Sequence, residues 1–300
     1  MIELPEAITI GRQVEQILAG RKVTNVYGAT YLHKFTFFNG TPDEYRNLLV
    51  GKEVRSAIGK GFFVDVCFDD DLFLSIFDGV NMRYGYPGDP VPSKYQMLIT
   101  FDDESFVCFT TSMYGGIYVF CHTLDNKYRT LSLNSISPLS EQFDEVYFEK
   151  KFAAEKKNIS AKAFLATEQR IPGLGNGVLQ DILFHAKLHP KRKIFSLSDI
   201  EKATLFRSLK NTLQAMADGG GRDTETDFLG DKGRYRSVLS KIPILLPARV
   251  VEGSSQRKPI WEVRFIIVWN ASRSDFSDQM IHRHVFPKWG GVERLFDLIV

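Results

Sequence analysis

The stretch Gln169-Arg-Ile-Pro-Gly-Leu-Gly-Asn-Gly177, followed by Val178-Leu-Gln-Asp-Ile-Leu-Phe-His-Ala186, decides how this chain is read. Pro172, Gly173 and Gly175 lie too close together for a helix to run through it. Upstream, Ser160 is placed to cap a short helix carrying Phe164 and Leu165 on its apolar face. Downstream, Val178, Leu179, Ile182, Leu183 and Ala186 recur at helical spacing, with Asn176 where an N-cap belongs. The pattern predicts helix, tight double turn, helix, with bare backbone N–H groups at Asn176-Gly177. Such a terminus attracts anions, and glycines let a bulky anion approach the backbone. A turn that merely joins two packed helices would look the same. Arg170 before the turn, and Lys187, Lys191, Arg192 and Lys193 after the second helix, favour phosphate binding at Gly175 and Asn176.

Composition points the same way. The 300 residues include 44% hydrophobic side chains and 24 Phe, ample for a sizeable core. Such a length suggests two domains. The net charge of +2 is segregated: residues 1–150 hold 13 Lys/Arg against 20 Asp/Glu, and residues 151–241 hold 17 against 10. A near-neutral total therefore hides a basic module, the electrostatic footprint of a nucleic-acid binder. Cys67, Cys108 and Cys121 are neither paired nor at metal-ligand spacing, which implies a reducing cytoplasm. No signal peptide, membrane-spanning run or internal repeat is visible, so no membrane partner is expected.

From Glu6 to Leu18, Ala7, Ile10, Val14, Ile17 and Leu18 form an apolar helical stripe that Gly20 ends. Glu3 and Glu6 fall at its first turn, where carboxylates favour the helix dipole. Short strands follow at Val23–Tyr27, Lys34–Phe38, Glu53–Ile58, Gly61–Phe68, Leu72–Phe77, Tyr95–Phe101 and Phe106–Thr110. They predict an antiparallel β-sandwich behind one leading helix. Gly59-Lys60-Gly61 sits between two strands, and Lys60 there would ordinarily be a hairpin lysine in water. Residues 131–142 are expected to form a linker, and Phe143–Ala154 and Ser198–Ala217 add amphipathic helices to an all-α module. The domains expected are therefore 1–130 and 143–241, with an atypical segment at 242–300.

Three separated motifs occur in a telling order: Glu3-Leu4-Pro5-Glu6, the Pro172–Gly177 turn, and Gly219-Gly-Gly-Arg-Asp-Thr224 leading to Gly233-Arg-Tyr-Arg-Ser-Val-Leu239. Together they resemble the formamidopyrimidine-DNA glycosylase/endonuclease VIII family, over roughly residues 1–241. The resemblance implies a β-sandwich catalytic domain, a helix-two-turn-helix domain, and excision of an oxidised base by a bifunctional glycosylase/AP lyase. The partner implied is double-stranded DNA carrying a damaged base or an abasic site, bound by a monomer.

In that family the second residue is a proline whose amine, freed by methionine removal, attacks the sugar C1′ while the adjacent glutamate acts as general acid. Here Glu3 is kept and the second residue is Ile2, too bulky for methionine removal, so the free amine is that of Met1. The resemblance thus makes the Met1 α-amine, Glu3, Glu6 and Lys60 the catalytic candidates. Lys60, Arg170, Gly175, Asn176, Lys191, Arg192, Arg222 and Arg234 become the DNA-binding ones. Where the family inserts side chains into the gap left by the flipped base, this chain aligns Asp78 and Ser112-Met113-Tyr114.

Two other readings share the residues. Ile2 is compatible with a damage-binding protein that has lost excision, and a basic helical module is compatible with structured RNA, though the Glu3–Glu6 opening argues against the latter. After Lys241 the resemblance predicts a zinc ribbon, yet no cysteine follows Cys121. With chosen codons, a shift of one nucleotide across 248–253 and 265–272 yields cysteines opposite Ala248, Val251, Val268 and Ala271, spaced Cys-x2-Cys-x16-Cys-x2-Cys. That spacing is a tetrahedral zinc signature. As written, neither a metal site nor a cofactor is expected; His282 and His284 lack a second ligand pair.

Overall fold

The computed structural model describes residues 1–238. Residues 242–300, with the expected ribbon positions and His282 and His284, lie outside the described residues.

Helix α1 (Leu4–Leu18) buries Ala7, Ile10, Val14 and Leu18 of the expected stripe, leaves Ile17 partly buried, and adds Leu4. Strands β1 (Val23–Gly28) and β2 (Thr36–Phe38) precede a helix that the strand pattern does not announce, α2 (Pro42–Leu49). Its signature is local: the Thr41 hydroxyl accepts from the Glu44 N–H at 3.2 Å, the Glu44 carboxylate returns the contact to the Thr41 N–H, and Pro42 opens the first turn. Then come β3 (Val54–Lys60), β4 (Phe63–Phe68), β5 (Leu72–Gly85), β6 (Met97–Phe101) and β7 (Phe106–Cys121).

The seven strands form one sheet in the order β1-β6-β7-β5-β4-β3, antiparallel except for β2, which pairs parallel with β7. Strands β5 and β7 run much further than expected, 14 and 16 residues. Their hydrophobic alternation breaks at Asp78-Gly79 and at Ser112–Gly116, and the expected strands stop short of these breaks, at Phe77 and Thr110. In the structure the break is a β-bulge between Asp78 and Val80, where the paired ladder bends. The bend turns one half of the sheet over the other. Val54, Val66 and Leu74 on one side close with Ile99, Val107 and Phe109 on the other around a shared core. The sandwich is thus one folded sheet, with α1 along β3. Helix and strand touch backbone to backbone: a Cβ on Gly59 would lie 1.8 Å from the Ala7 carbonyl oxygen.

The interval expected as a linker begins inside helix α3 (Lys127–Asn134). Arg129 on that helix is buried, donates to Asp65 at 2.7 Å and lies over the Phe120 ring at 4.8 Å. That cation–aromatic and ion-pair contact ties the helix to the sheet. The second core holds α4 (Glu145–Ala154), α5 (Ala161–Ala166), α6 (Asn176–His185) and α7 (Asp199–Asp218). Phe152 and Phe164 pack with ring centroids 4.1 Å apart, and Phe148 bridges Phe143, Phe164 and Phe206. Ser160 caps α5 as expected, accepting from the Ala163 N–H at 3.2 Å.

Gly219 ends α7, and Gly220 and Gly221 turn the chain back with φ of +69° and +101°. The returning strap is not simply a basic surface. Phe228 enters the core of the sandwich, its carbonyl accepts from Tyr84 N–H at 2.9 Å, and Asp227 accepts from Gln13 at 2.7 Å. No helix among the described residues is long and apolar enough to cross a membrane.

Candidate active site

All three sequence motifs meet at one buried cluster of charge. Leu4 N–H donates to the Gly173 carbonyl at 2.9 Å, which sets the start of α1 against the start of α6. Glu3 then lies at the N-terminus of α6. Its carboxylate accepts from the N–H groups of Gly175 (3.1 Å), Gly177 (2.9 Å) and Val178 (2.8 Å). The anion drawn to this helix terminus is therefore the protein's own. The glycines are required by that fit: a Cβ on Gly175 would sit 2.6 Å from the Glu3 carboxyl carbon. The helix also begins differently from expectation, with Gly175 as N-cap and Asn176 as its first, exposed residue.

Arg222, expected on a phosphate-binding surface, is only 3% exposed and completes the cluster. Its Nε and Nη2 each donate to Glu6 at 2.9 Å, and Nη1 reaches Glu3 at 3.3 Å. A buried fork of this kind is a structural ion pair, and leaving any member unpaired would be costly. Burial alone would lower the guanidinium, but Glu3 and Glu6 hold it above the usual arginine range. Burial pushes the Glu3 carboxyl up, against the opposing pull of Arg222 and with help from Glu6.

The N-terminus joins the same cluster. Ile2 is buried in the sandwich core and its N–H donates to the Asp78 carbonyl at 2.7 Å. Met1 is thereby directed outward, and its α-ammonium contacts Glu225 Oε2 at 2.5 Å. Arg222 Nη2 also donates to the Met1 carbonyl at 3.3 Å. Three carboxylates (Glu3, Glu6, Glu225) thus face two cations, Arg222 and the N-terminal ammonium. Glu225 has a helical-spacing relation to Arg222 that the sequence displays but does not interpret.

The formamidopyrimidine-DNA glycosylase H2TH domain family matches residues 135–227. The formamidopyrimidine-DNA glycosylase of Cytobacillus firmus is 27% identical over 247 residues, covering 80% of this chain and 87% of that protein. The Bacillus subtilis enzyme of the same name is 26% identical, covering 78% and 83%. Residues 135–227 thus match the H2TH domain of formamidopyrimidine-DNA glycosylases, and about four fifths of the chain is similar to enzymes of that name. Solved structures agree in fold: a Lactococcus lactis Fpg complexed with DNA containing an abasic site has a TM-score of 0.64 at 22% identity, covering 77% of this chain and 84% of that one. A MutM in complex with DNA containing carbocyclic 8-oxo-G has a TM-score of 0.64 at 24% identity, with the same coverage.

Against this family background, the remaining expected residues separate. Lys60 ends β3 rather than forming an exposed turn, and its ammonium donates to the Leu133 carbonyl of α3. It shares a crevice with Leu4, Gly61, Ser132 and Pro172, close to the turn that holds Glu3. Arg170 is paired with Glu155 at 2.7 Å and Glu168 at 3.1 Å. Arg192 reaches the Ser196 carbonyl at 3.0 Å, with Glu201 at 3.6 Å. Lys191 and Arg234 are exposed.

Asp78 is partly buried. It stands in the bulge at φ +59°, and its carboxyl is pushed up to about 6 by burial despite the nearby N-terminal ammonium. Met113, 57% exposed, is the protruding side chain of that region, with Tyr114 half-buried beside it. Among the described residues, no group of three or more His, Cys, Asp or Glu is placed to hold a metal.

Proposed function

We propose that this protein is a base-excision repair enzyme, a DNA glycosylase with AP lyase activity that removes an oxidised base from double-stranded DNA. One observation carries the reading: a free α-amine and a buried carboxyl whose proton affinity is raised share a single charge cluster through Arg222. An amine nucleophile and a general acid are what Schiff-base excision requires. The damaged nucleotide is flipped out of the stack, at a cost of a few kcal/mol that damage reduces. The Met1 amine attacks C1′ and displaces the base, and Glu3 protonates the sugar ring oxygen as the ring opens to the imine. The imine then permits elimination of the adjacent phosphate. Asn176, exposed at the rim of the Glu3 pocket, and Lys60 would hold phosphates beside the lesion.

Borohydride reduction during turnover of a lesion-containing duplex tests this reading. A covalent adduct should form, and peptide mapping should place it on the Met1 α-amine. Glu3→Gln should bind the duplex and release no base, because an amide has no carboxylic proton to give. A wild-type chain that yields no adduct while binding damaged duplex would instead be a damage-binding protein without excision.

We also propose that a gene with one more nucleotide near codon 241 encodes a zinc ribbon. The described residues hold no group of three or more His, Cys, Asp or Glu that could replace those ligands. Resequencing that codon, and measuring bound zinc in protein made from both frames, decides the matter: one zinc per chain is expected only from the lengthened frame.

A further inference from the structure

We propose that Glu225 is the proton acceptor that converts the Met1 ammonium into the nucleophile. This rests on the excision reading above, and assigns a role to a residue that none of the three motifs' matching positions singles out. The geometry is direct: Glu225 Oε2 lies 2.5 Å from the Met1 nitrogen, with Glu225 only 26% exposed at the side chain. An ammonium has no lone pair, so some base at this distance must take its proton before attack.

Glu225 is also held in place, as a proton acceptor must be. Its own N–H donates to the Arg222 carbonyl at 3.1 Å, and Arg222 is fixed in turn by Glu6. Two residues further on, the strap is fastened to the sandwich: Arg83 donates to the Asp227 carbonyl at 2.5 Å, and Phe228 N–H donates to Gln13 at 3.1 Å. The chain is therefore held on both sides of Glu225, whose carboxylate contacts the Met1 ammonium. The other charged groups of this cluster are Asp78, Arg222 and, across Arg222, Glu3 and Glu6. Asp78 is the rival acceptor, since the ammonium's charge reaches its carboxyl, but the hydrogen bond from the Met1 nitrogen goes to Glu225. Arg222 cannot accept a proton.

The step balances. One Met1 N–H bond breaks and its proton moves to Glu225, leaving a lone pair that forms the N–C1′ bond. The glycosidic bond breaks, its electron pair leaves with the base, and the base takes up the one proton released. Glu225 returns to a carboxylate, able to receive a second N–H proton as C1′–O4′ opens and Glu3 protonates O4′.

Single-turnover trapping with borohydride at saturating lesion duplex, beside duplex affinity by anisotropy, tests the assignment. Glu225→Gln should slow adduct formation by roughly 10²- to 10⁴-fold, the range for a lost general base. Its affinity for the duplex should stay within about twofold, since no phosphate contact is removed. Glu225→Asp, which keeps a carboxylate, should recover part of the rate, an outcome that loss of packing alone would not give. Adduct formation by Glu225→Gln at the wild-type rate overturns the proposal. So does a loss of rate that follows Asp78→Asn and spares Glu225→Gln. A wild-type chain that yields no adduct overturns the excision reading together with this one, and is told apart by that wild-type result.

Discussion

Gly177 and Arg222 occupy the same space: a Cβ on Gly177 would fall 1.5 Å from Arg222 Nη1. The guanidinium can lie across the start of α6, within reach of Glu3 and Glu6, only because position 177 has no side chain. Sequence motifs more than forty residues apart are thereby coupled by sterics as well as by charge.

Gly177→Ala should therefore cost about 1–3 kcal/mol, the range for overpacking a buried site, because Arg222 is held by two carboxylates and cannot swing aside freely. Urea unfolding at unchanged m value should show the lowered midpoint. A variant with the wild-type midpoint would mean that the guanidinium has another place to go.

Arg222→Lys should be more damaging than its charge suggests. A lysine cannot supply the fork that meets Glu6 through Nε and Nη2 while Nη1 turns to Glu3. Removing the cation altogether, as in Arg222→Met, leaves two buried carboxylates uncompensated and should cost about 3–5 kcal/mol. Chemical denaturation of the two variants checks the order; equal stability of Arg222→Lys and wild type would refute it.

Much of this architecture is legible in the sequence, and the failures share a cause. The α1 stripe, the Ser160 cap and the double turn are local patterns, and local patterns are what a sequence displays. Strands β5 and β7 read as fragments because a bulge at Asp78-Gly79 breaks the alternation without ending the strand. At the anion site inferred at Gly175-Asn176, the anion seated on the backbone N–H groups is the Glu3 carboxylate. Free helical N–H groups and glycines do mark an anion site, but the Glu3 carboxylate arrives from the other end of the chain. Arg222 and Arg170 looked like surface charge because nothing in a one-dimensional pattern shows that Glu6 and Glu155 will face them. Glu225 was invisible for the same reason.

Asn176 keeps a testable role at the rim. Asn176→Ala should weaken binding to damaged and undamaged duplex alike, by about fivefold, which is one neutral hydrogen bond of about 1 kcal/mol. Anisotropy titrations with both duplexes at one salt concentration give the comparison. Loss confined to the damaged duplex would place Asn176 against the lesion instead of a phosphate.

Asp78 sets a pH dependence whose sign follows from burial. Its carboxyl is raised from 3.8 to about 6, so between those values the folded state binds more protons than the unfolded state. Stability from this group is therefore fully present below about pH 4 and falls as pH rises towards about 6, by at most ~3 kcal/mol. Asp78→Asn removes the ionisation and keeps the shape, so the variant should match the wild type near pH 4 and gain on it as pH rises to 7. The backbone carbonyl that receives Ile2 N–H is untouched by the change. Urea midpoints for both proteins at several pH values between 4 and 7 measure the divergence. Parallel curves would show that the carboxyl ionises as freely in the folded protein as in the unfolded chain.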